Sequence, residues 1–311
     1  MTVKSLKVCA TGSVANVSCG FDRIGYAISK PADTVTIKTK DSSGVDITLS
    51  GSKADTIPAA AKYNTAGKAI LSLLDTLSID QGFNVHIEKG IPPGSGLGSS
   101  AASAAAAIVG VNELLGKPLK LEELLVHGMA GEAVASGEFH ADNIAPALFG
   151  GIILIRSYDP LDIQQLPVPE NLFSTVVLPD FEINTREARK IMPYRVPLKS
   201  AIEQTGNLAG FTHGLHKADF DLLGRSMVDL FAEPVRAKLI PGYHTIQKAS
   251  MEAGAIGCGI SGSGPALFAL SDSDKKAKKI GFAMVEAFRK YELNSIAYSS
   301  SINKHSPEII D

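Results

Sequence analysis

The sequence predicts an α+β protein built from two domains. Three observations support this: a β-rich first block, a glycine loop that runs directly into an alanine-rich helix at residues 91–111, and a closing order of strand, strand, helix and strand over residues 255–301. A chain of 311 residues with 45% apolar residues is long enough to bury a substantial core.

The first half alternates between strands and helices. Alternating or β-branched stretches predict strands at residues 6–11, 34–40, 45–50 and 83–88. Apolar spacing and alanine content predict helices over residues 59–75, from Ser99 to the glycine at 116, and over 121–135. The segment EFHADNIAPALFGGIILIRS, residues 138–157, then predicts a polar turn, a short helix and a buried strand.

The composition changes near PVPENL, residues 167–172, where two prolines flank a valine. We therefore expect an N-terminal domain of residues 1–168 and a C-terminal domain of residues 169–311. The second half should open with a strand at 174–178, continue through several helices and close in ββαβ order. This order is typical of a ferredoxin-like layer of helices on an antiparallel sheet.

Charge and cysteine content argue against several classes of partner. The chain carries 30 basic and 32 acidic residues, a formal charge of -2, so no global field attracts nucleic acid or an anionic membrane. Its three cysteines lack C-x-x-C spacing, which argues against a disulfide framework and favours a reducing, cytoplasmic location. The N-terminal stretch lacks the apolar run of a signal peptide, and no apolar stretch is long enough to span a bilayer.

The stretch IPPGSGLGSSAAS, residues 91–103, has the composition of a phosphate-binding loop. Backbone N–H groups hold phosphate when the chain can come close and adopt positive φ, which suits Gly94, Gly96 and Gly98. The following helix adds N-terminal donors, and Ser99 or Ser100 can cap it. No lysine follows the last glycine as Walker A requires, and the dinucleotide fingerprint fits only loosely. The alternative is a glycine turn with a helix cap and no ligand.

Without a P-loop lysine, the charge of a bound phosphate needs a metal ion and side chains from elsewhere. One hydroxyl and one carboxylate are enough for Mg²⁺, which keeps most of its waters. We predict Ser100 and Glu132 as this pair, with Ser99 as a phosphate donor or cap; the reverse assignment of the two serines stays open. The alternative for Glu132 is an ordinary solvated helix residue.

Three segments together resemble the GHMP kinases. PPGSGLGSSAAS at 92–103 is similar to the second motif of that family, AIGCGISGSGPALFAL at 255–270 to the third, and ATGSVANVSCGFDRIGYAI at 10–28 to the first. The resemblance implies an N-terminal domain like domain 2 of ribosomal protein S5, a ferredoxin-like C-terminal domain, and ATP with Mg²⁺. The ATP-binding residues it implies are Pro92, Pro93, Gly94, Ser95, Gly96, Leu97, Gly98, Ser99, Ser100, Ala101, Gly262 and Ser263.

Within the family, the acceptor side resembles the homoserine kinases. The resemblance implies phosphorylation of the L-homoserine hydroxyl to O-phospho-L-homoserine, a step of threonine biosynthesis. It rests on these residues, which we expect to bind the acceptor: Asn16, Asp22, His140, Asp142, Arg186 and Arg236, with Phe21 beside Asp22 and Asn143 beside Asp142.

The chemistry of these residue types agrees with a small zwitterion. An arginine fork can bind both oxygens of a carboxylate, which suits Arg186 and Arg236, and carboxylates such as Asp22 and Asp142 suit an ammonium. The alternatives are solvated surface positions for the two arginines and a turn-capping role for Asp22.

Phosphoryl transfer depends mainly on positioning and charge stabilisation, so a strong base is optional. We name Asn143, Asp142 and Arg186 as the catalytic residues. The hypothesis is transfer without a side-chain base, with Asn143 orienting the hydroxyl and the proton ending on phosphate. The rival hypothesis makes Asp142 or His140 the base.

Two other functions stay open. The chain could be a GHMP kinase for another small alcohol, such as mevalonate, shikimate or a sugar, or a relative that binds ligands without catalysis. Loss of the metal carboxylate, the loop serines or an arginine would mark the second, and all of these are present. A homodimer is expected by resemblance alone.

Overall fold

The computed structural model describes residues 4–137 and 139–310. Within these residues the strands are β1 (Ser5–Ala15), β2 (Ile24–Lys40), β3 (Val45–Gly51), β4 (Gly82–Lys89), β5 (Ile152–Tyr158), β6 (Leu161–Leu166), β7 (Phe173–Pro179), β8 (Gly257–Ile260), β9 (Leu267–Ser271), β10 (Ser295–Ser301) and β11 (Glu308–Ile309). The helices are α1 (Thr65–Leu77), α2 (Ser99–Leu114), α3 (Leu121–Ser136), α4 (Ile144–Phe149), α5 (Thr185–Lys190), α6 (Leu198–Lys217), α7 (Phe220–Ser226), α8 (Glu233–Arg236), α9 (Tyr243–Glu252) and α10 (Asp274–Arg289). Glu138 of the predicted turn and both chain ends lie outside the described residues.

The first sheet has the strand order β11-β1-β2-β4-β3, and β5 extends it by pairing with β2 and β6. All pairs are antiparallel except β3 with β4, which are joined through α1. Along β4, Phe83, Val85 and Ile87 are buried while the residues between them are exposed, so one face of the sheet is apolar. That face is covered by α2 and α4, with α1 and α3 packed on α2.

The second sheet has the order β10-β7-β9-β8, and each neighbouring pair is antiparallel. It is built from a strand, a run of helices and a closing ββαβ unit, which confirms the predicted α+β class and the ferredoxin-like layer. Helices α9 and α10 cover one face. The buried stripe of α10 begins after Ser273, whose side chain caps the helix by accepting from the N–H of Lys276.

The two sheets share buried residues. Alternate residues of β7 point to opposite faces, so Val176 joins the core of the first sheet while Val177 joins the core under α9 and α10. The Tyr26 hydroxyl of β2 bonds the Ser174 hydroxyl at 2.7 Å, and its ring meets Phe268 edge to face. The chain changes sheets between Leu166 and Phe173, where the sequence predicts the boundary, but β11 returns to pair with β1.

Several predicted boundaries shift for local reasons. The helix predicted from residue 59 begins at Thr65, because Asn64 caps it by accepting from the N–H of Gly67. The strand predicted at 34–40 starts at Ile24, ten residues earlier. Neither Ser99 nor Ser100 caps α2, since Gly98 occupies that position with a φ of 64°. No helix in the described part of the chain is both long enough and apolar enough to cross a membrane.

A buried ion pair fastens the start of α2 to the first sheet. Lys89, at the end of β4, donates to the carboxylate of Asp33, to the carbonyl of Ser99 at 2.8 Å and to the hydroxyl of Ser103 at 2.8 Å. Asp33 also accepts from the N–H groups of Gly90 and Ile91, both at 3.0 Å. Because the side chains of Lys89 and Asp33 are 2% and 0% exposed, neither charge can be satisfied by water.

We expect Lys89→Met to lower the free energy of unfolding by about 3 kcal/mol, because it leaves the Asp33 carboxylate buried without its cation. Urea denaturation followed by circular dichroism measures this. The matched control is Lys276→Met, which breaks an ion pair with Asp272 in which both side chains are well exposed and should cost less than about 1 kcal/mol. Equal effects of the two substitutions would contradict the structural role of Lys89.

Candidate active site

One cleft of about 390 Å³ runs between the two sheets. Its walls come from the end of β1, the loop before α2, α3, the segment before α4, α5, α8 and the loop between β8 and β9. It therefore brings together most of the residues singled out in the sequence, although these span more than 240 positions of the chain, from Asn16 to Ser263.

The predicted phosphate loop lies at the centre of this cleft. Its glycines at 94, 96 and 98 all have positive φ, between 64° and 80°. A Cβ at Gly98 would stand 2.2 Å from the hydroxyl oxygen of Ser13 and 2.9 Å from Oδ1 of Asn143. A side chain is therefore excluded there by both conformation and space. The N-terminus of α2 follows, where the first four N–H groups of a helix lack intrahelical acceptors.

A second glycine loop, between β8 and β9, packs directly on the first. The Ser261 hydroxyl donates to the carbonyl of Gly96 at 2.7 Å, and the N–H of Ala266 donates to the carbonyl of Ser95 at 3.1 Å. The N–H of Gly262 bonds the carbonyl of Ala15 at 3.1 Å, which ties the loop to the end of β1. Gly262 and Ser263, which the sequence predicts to bind ATP, line the cleft.

The two loop serines face different partners. Ser99 is buried, and its hydroxyl donates to the carbonyl of Ile91 at 2.7 Å, so it closes the base of the loop. The Ser100 hydroxyl donates to Oε2 of Glu132 at 3.0 Å. Glu132 is 8% exposed, and burial raises the pKa of its carboxyl to about 7.

The donor set at this point suits a hard cation. A hydroxyl and a carboxylate from α2 and α3 already lie within hydrogen-bond distance of each other in the cleft, and Mg²⁺ prefers such oxygen ligands. Within residues 4–137 and 139–310, no group of three or more His, Cys, Asp or Glu side chains is arranged to hold a metal ion. A cation here would therefore depend on ligand oxygens and water as well as on the protein.

The other end of the cleft holds charges of both signs. The turn after β1 carries Asp22, whose carboxylate accepts from Nη1 of Arg189 at 2.7 Å and lies 3.9 Å from Nδ1 of His140. Asn16 orients this turn, since its Oδ1 accepts from the N–H of Asp22 at 3.0 Å. Its Nδ2 donates to the carbonyl of Gly262 at 2.8 Å, so the turn is tied to the second glycine loop.

Arg236 lies beside this cluster and is 4% exposed. Its Nη1 donates to the carbonyl of Gly262 at 2.9 Å and its Nε to that of Ala188 at 3.3 Å. The short helix α8 that carries it is fixed by Asp229, which accepts from three consecutive backbone N–H groups, those of residues 231–233. Burial lowers the pKa of Arg236, and the nearby Asp22 opposes this.

Arg186, which the sequence predicts to bind the acceptor, does not line the cleft; Arg189 does, and it pairs with Asp22. The Arg186 guanidinium is exposed and donates to the carbonyls of Val134 and Ala135 at the end of α3. On a helix, Arg189 lies only about 40° round from Thr185, which lines the cleft, whereas Arg186 lies about 100° away. Both arginines follow the Asn184 cap within two turns, so the cap alone could not distinguish them.

Asp142 and Asn143 lie between the two ends of the cleft. Asp142 is 4% exposed, and burial together with the Asp22 carboxylate raises its pKa to about 6. Oδ1 of Asn143 accepts from the Ser13 hydroxyl at 2.9 Å, which leaves its Nδ2 as the available donor. Asn143 therefore lies against the phosphate loop at Gly98.

The remaining predicted loop residues are divided between lining and support. Leu97 and Ala101 are fully buried beneath the loop, and Pro92 does not line the cleft. Sequence reasoning also missed residues that do line it: Leu49, Thr56, Ile57, Pro58, Tyr63, Asn64, Thr65, Ile87, Lys89, Ser103, Thr185 and Arg189. Five of these twelve come from the segment of residues 56–64 before α1, which has no distinctive motif; the asparagine cap before a helical pattern was its one usable signal.

Two family models match the chain. The model described as GHMP kinases N terminal domain matches residues 64–151, and the model described as GHMP kinases C terminal matches residues 211–290. The first covers the phosphate loop and Glu132, and the second covers Arg236 and the second glycine loop.

Individual proteins match over almost the whole chain. A homoserine kinase of Chlorobium phaeobacteroides (strain BS1) is 42% identical over 99% of this chain and 100% of its own length. The crystal structure of homoserine kinase from Cytophaga hutchinsonii has a TM-score of 0.96 and 47% identity, covering 98% of this chain and 97% of that one. The crystal structure of L. major mevalonate kinase in complex with R-mevalonate shares the fold, with a TM-score of 0.71, 20% identity and 97% of each chain covered.

Proposed function

Because this chain belongs to the GHMP kinase family, we propose that it is a homoserine kinase, transferring the terminal phosphoryl group of ATP to the hydroxyl of L-homoserine. The product is O-phospho-L-homoserine, and the step belongs to threonine biosynthesis. One observation carries the proposal: a single cleft joins a glycine loop suited to phosphate with a cluster that holds both carboxylates and arginines.

The acceptor cluster fits a zwitterion that ends in an alcohol. The substrate carboxylate is bound by Arg189 and Arg236, whose guanidinium groups carry charge-assisted donors. The ammonium is bound by Asp22, whose carboxylate pairs with Arg189 in the protein without ligand. A ligand that brings both charges replaces each side of that internal ion pair, so neither of these half-buried groups is left unpaired.

Phosphate binding falls to the main chain of residues 94–101 and to the second glycine loop. Gly96 and the first residues of α2 line the cleft, and the dipole of a helix N-terminus favours negative charge. Mg²⁺ is to be held by Ser100 and Glu132, where the hydroxyl and carboxylate oxygens suit it. When bound, it supplies neutralisation of the charge on the transferring phosphate.

Transfer needs the acceptor hydroxyl held in line with the phosphate. Asn143 is placed for this, because its Oδ1 is fixed by Ser13 and its Nδ2 is available to orient the hydroxyl beside Gly98. We propose that the proton ends on phosphate and that Asp142 serves as a polar contact for the substrate ammonium. The raised pKa of Asp142 keeps the rival hypothesis of a carboxylate base open to test.

The finer expectations of location and assembly stay proposals. Free thiols at Cys9, Cys19 and Cys258, together with the use of ATP, support a cytoplasmic enzyme. Nucleic acid and membranes are not proposed as partners. A homodimer stays a prediction, as does the domain division at residue 168.

The function is tested by ADP release with L-homoserine, L-serine, mevalonate, shikimate and galactose as acceptors, with and without Mg²⁺. We expect turnover with L-homoserine that depends on Mg²⁺. Turnover with another of these alcohols and none with L-homoserine would replace the proposed substrate. No turnover with any acceptor, together with tight ATP binding, would favour a non-catalytic relative.

The two arginines of α5 provide a matched pair of substitutions. Arg189→Lys should raise KM for L-homoserine about 10- to 100-fold, because the guanidinium fork to the carboxylate is lost. Arg186→Lys should change it less than about threefold, since its donors reach only carbonyls of α3. Steady-state kinetics with saturating ATP measures both, and the reverse order of effects would restore Arg186 as the substrate ligand.

Asp142→Asn and Asn143→Ala separate the two hypotheses for the proton. Asp142 has a pKa of about 6, so it becomes protonated as the pH falls from 7.5 to 5. If Asp142 is an ammonium contact, its protonation should raise KM for L-homoserine and leave kcat nearly constant. If Asp142 is the base, its protonation should lower kcat about tenfold for each pH unit below 6. A loss of kcat beyond about a thousandfold in Asp142→Asn, with KM unchanged, would support the base; His140→Asn tests the remaining candidate in the same way.

A further inference from the structure

We infer that Phe21 is a positioning residue for the acceptor carboxylate: the face of its ring holds the guanidinium groups of Arg189 and Arg236 in place. This inference rests on the proposed function, in which those two arginines bind the carboxylate. Phe21 itself does not line the cleft, so it acts through the arginines and not on the substrate.

Two cations from separate elements converge on this one ring. The guanidinium carbon of Arg189, on α5, lies over the Phe21 ring at 5.5 Å from its centroid, and that of Arg236, on α8, at 5.3 Å. Both distances fall within the range in which the ring quadrupole attracts a cation. The flat guanidinium group is suited to stacking on an aromatic face in a way that an ammonium is not.

The ring solves an electrostatic problem at Arg236. This side chain is 4% exposed, and within the described residues no carboxylate oxygen lies within ion-pair distance of its guanidinium. Its guanidinium donates to the carbonyls of Ala188 and Gly262. Because no carboxylate pairs directly with this buried cation, the face of Phe21 adds to the negative potential that Asp22, Asp229 and Asp142 supply from beyond ion-pair distance, and it leaves the remaining donors for a ligand.

The backbone around Phe21 makes the ring a rigid support. Asn16, Val17, Ser18 and Asp22 all have φ between 32° and 72°, which L-residues rarely adopt. The turn is held by the bond from the Asp22 N–H to Asn16 Oδ1 and by the bond from the Gln204 side chain to the carbonyl of Cys19 at 2.9 Å. Adjacent residues of one fixed turn therefore supply the ring under both arginines and the carboxylate that pairs with Arg189.

Fluorinated phenylalanines at position 21 test the inference, since fluorine weakens the negative face of the ring with little change in shape. We expect KM for L-homoserine to rise stepwise from phenylalanine through mono- and difluoro- to trifluorophenylalanine, reaching about tenfold. KM for ATP, kcat and the melting temperature should stay nearly constant. Phe21→Leu should match or exceed the trifluoro variant, and Phe282→Leu, on the exposed side of α10, should have no effect.

A constant KM across the fluorine series, whatever Phe21→Leu does, would overturn the inference and leave the ring as packing alone. A second readout needs no substrate. The side-chain Nε–Hε signals of Arg189 and Arg236 should carry a ring-current shift that disappears in Phe21→Leu, while that of Arg186 stays unchanged. If neither arginine signal loses its ring-current shift in Phe21→Leu, the inference is also overturned. A wild-type protein inactive on L-homoserine would contradict the proposed function alone, because these signals still report whether the ring lies under both cations.

Discussion

Close packing of two glycine loops is the constraint on which the rest of the cleft depends. A Cβ at Gly96 would stand 2.5 Å from the carbonyl oxygen of Ser261 and 2.8 Å from that of Gly264, so the loops meet backbone to backbone. The Ser261 hydroxyl then fixes the Gly96 peptide, and the same loop offers the Gly262 carbonyl to Asn16 and Arg236. This contact between distant segments thus fixes the position of the phosphate loop relative to the end of the cleft that holds Asn16 and Arg236.

The chain does have a lysine at the phosphate loop, but its ammonium is bound to the start of α2 and to the first sheet. Lys89 donates to Asp33, to the Ser99 carbonyl and to Ser103, so its three donors are all used by the protein. Its charge is matched by a carboxylate that is fully buried. The cation therefore holds the start of α2 in position.

At the other end of the cleft, around Asp22, charged side chains are balanced by other groups of the protein. Arg189 pairs with Asp22, Arg236 donates to carbonyls, and both lie over Phe21. Burial raises the pKa of Asp142 and Glu132, so the cleft disfavours additional negative charge on its own side chains. A site of this kind discriminates by the charges a ligand must supply, because a ligand that breaks the internal pair without replacing both partners leaves a half-buried charge unpaired.

The sequence by itself determined the α+β class and the two glycine loops. The class follows from the local periodicity of strands and helices, and the loops follow from glycine, whose conformational role is visible within one segment. The sequence also singled out Ser100 and Glu132, which the structure brings within 3.0 Å. Only the tertiary structure decided between Arg186 and Arg189, since three residues apart on one helix they differ solely in which neighbour each side chain meets. The roles of Lys89 and of the Phe21 ring also depend on the tertiary structure, because burial and cation–π contact join residues that are distant in the chain and become neighbours only in the folded protein.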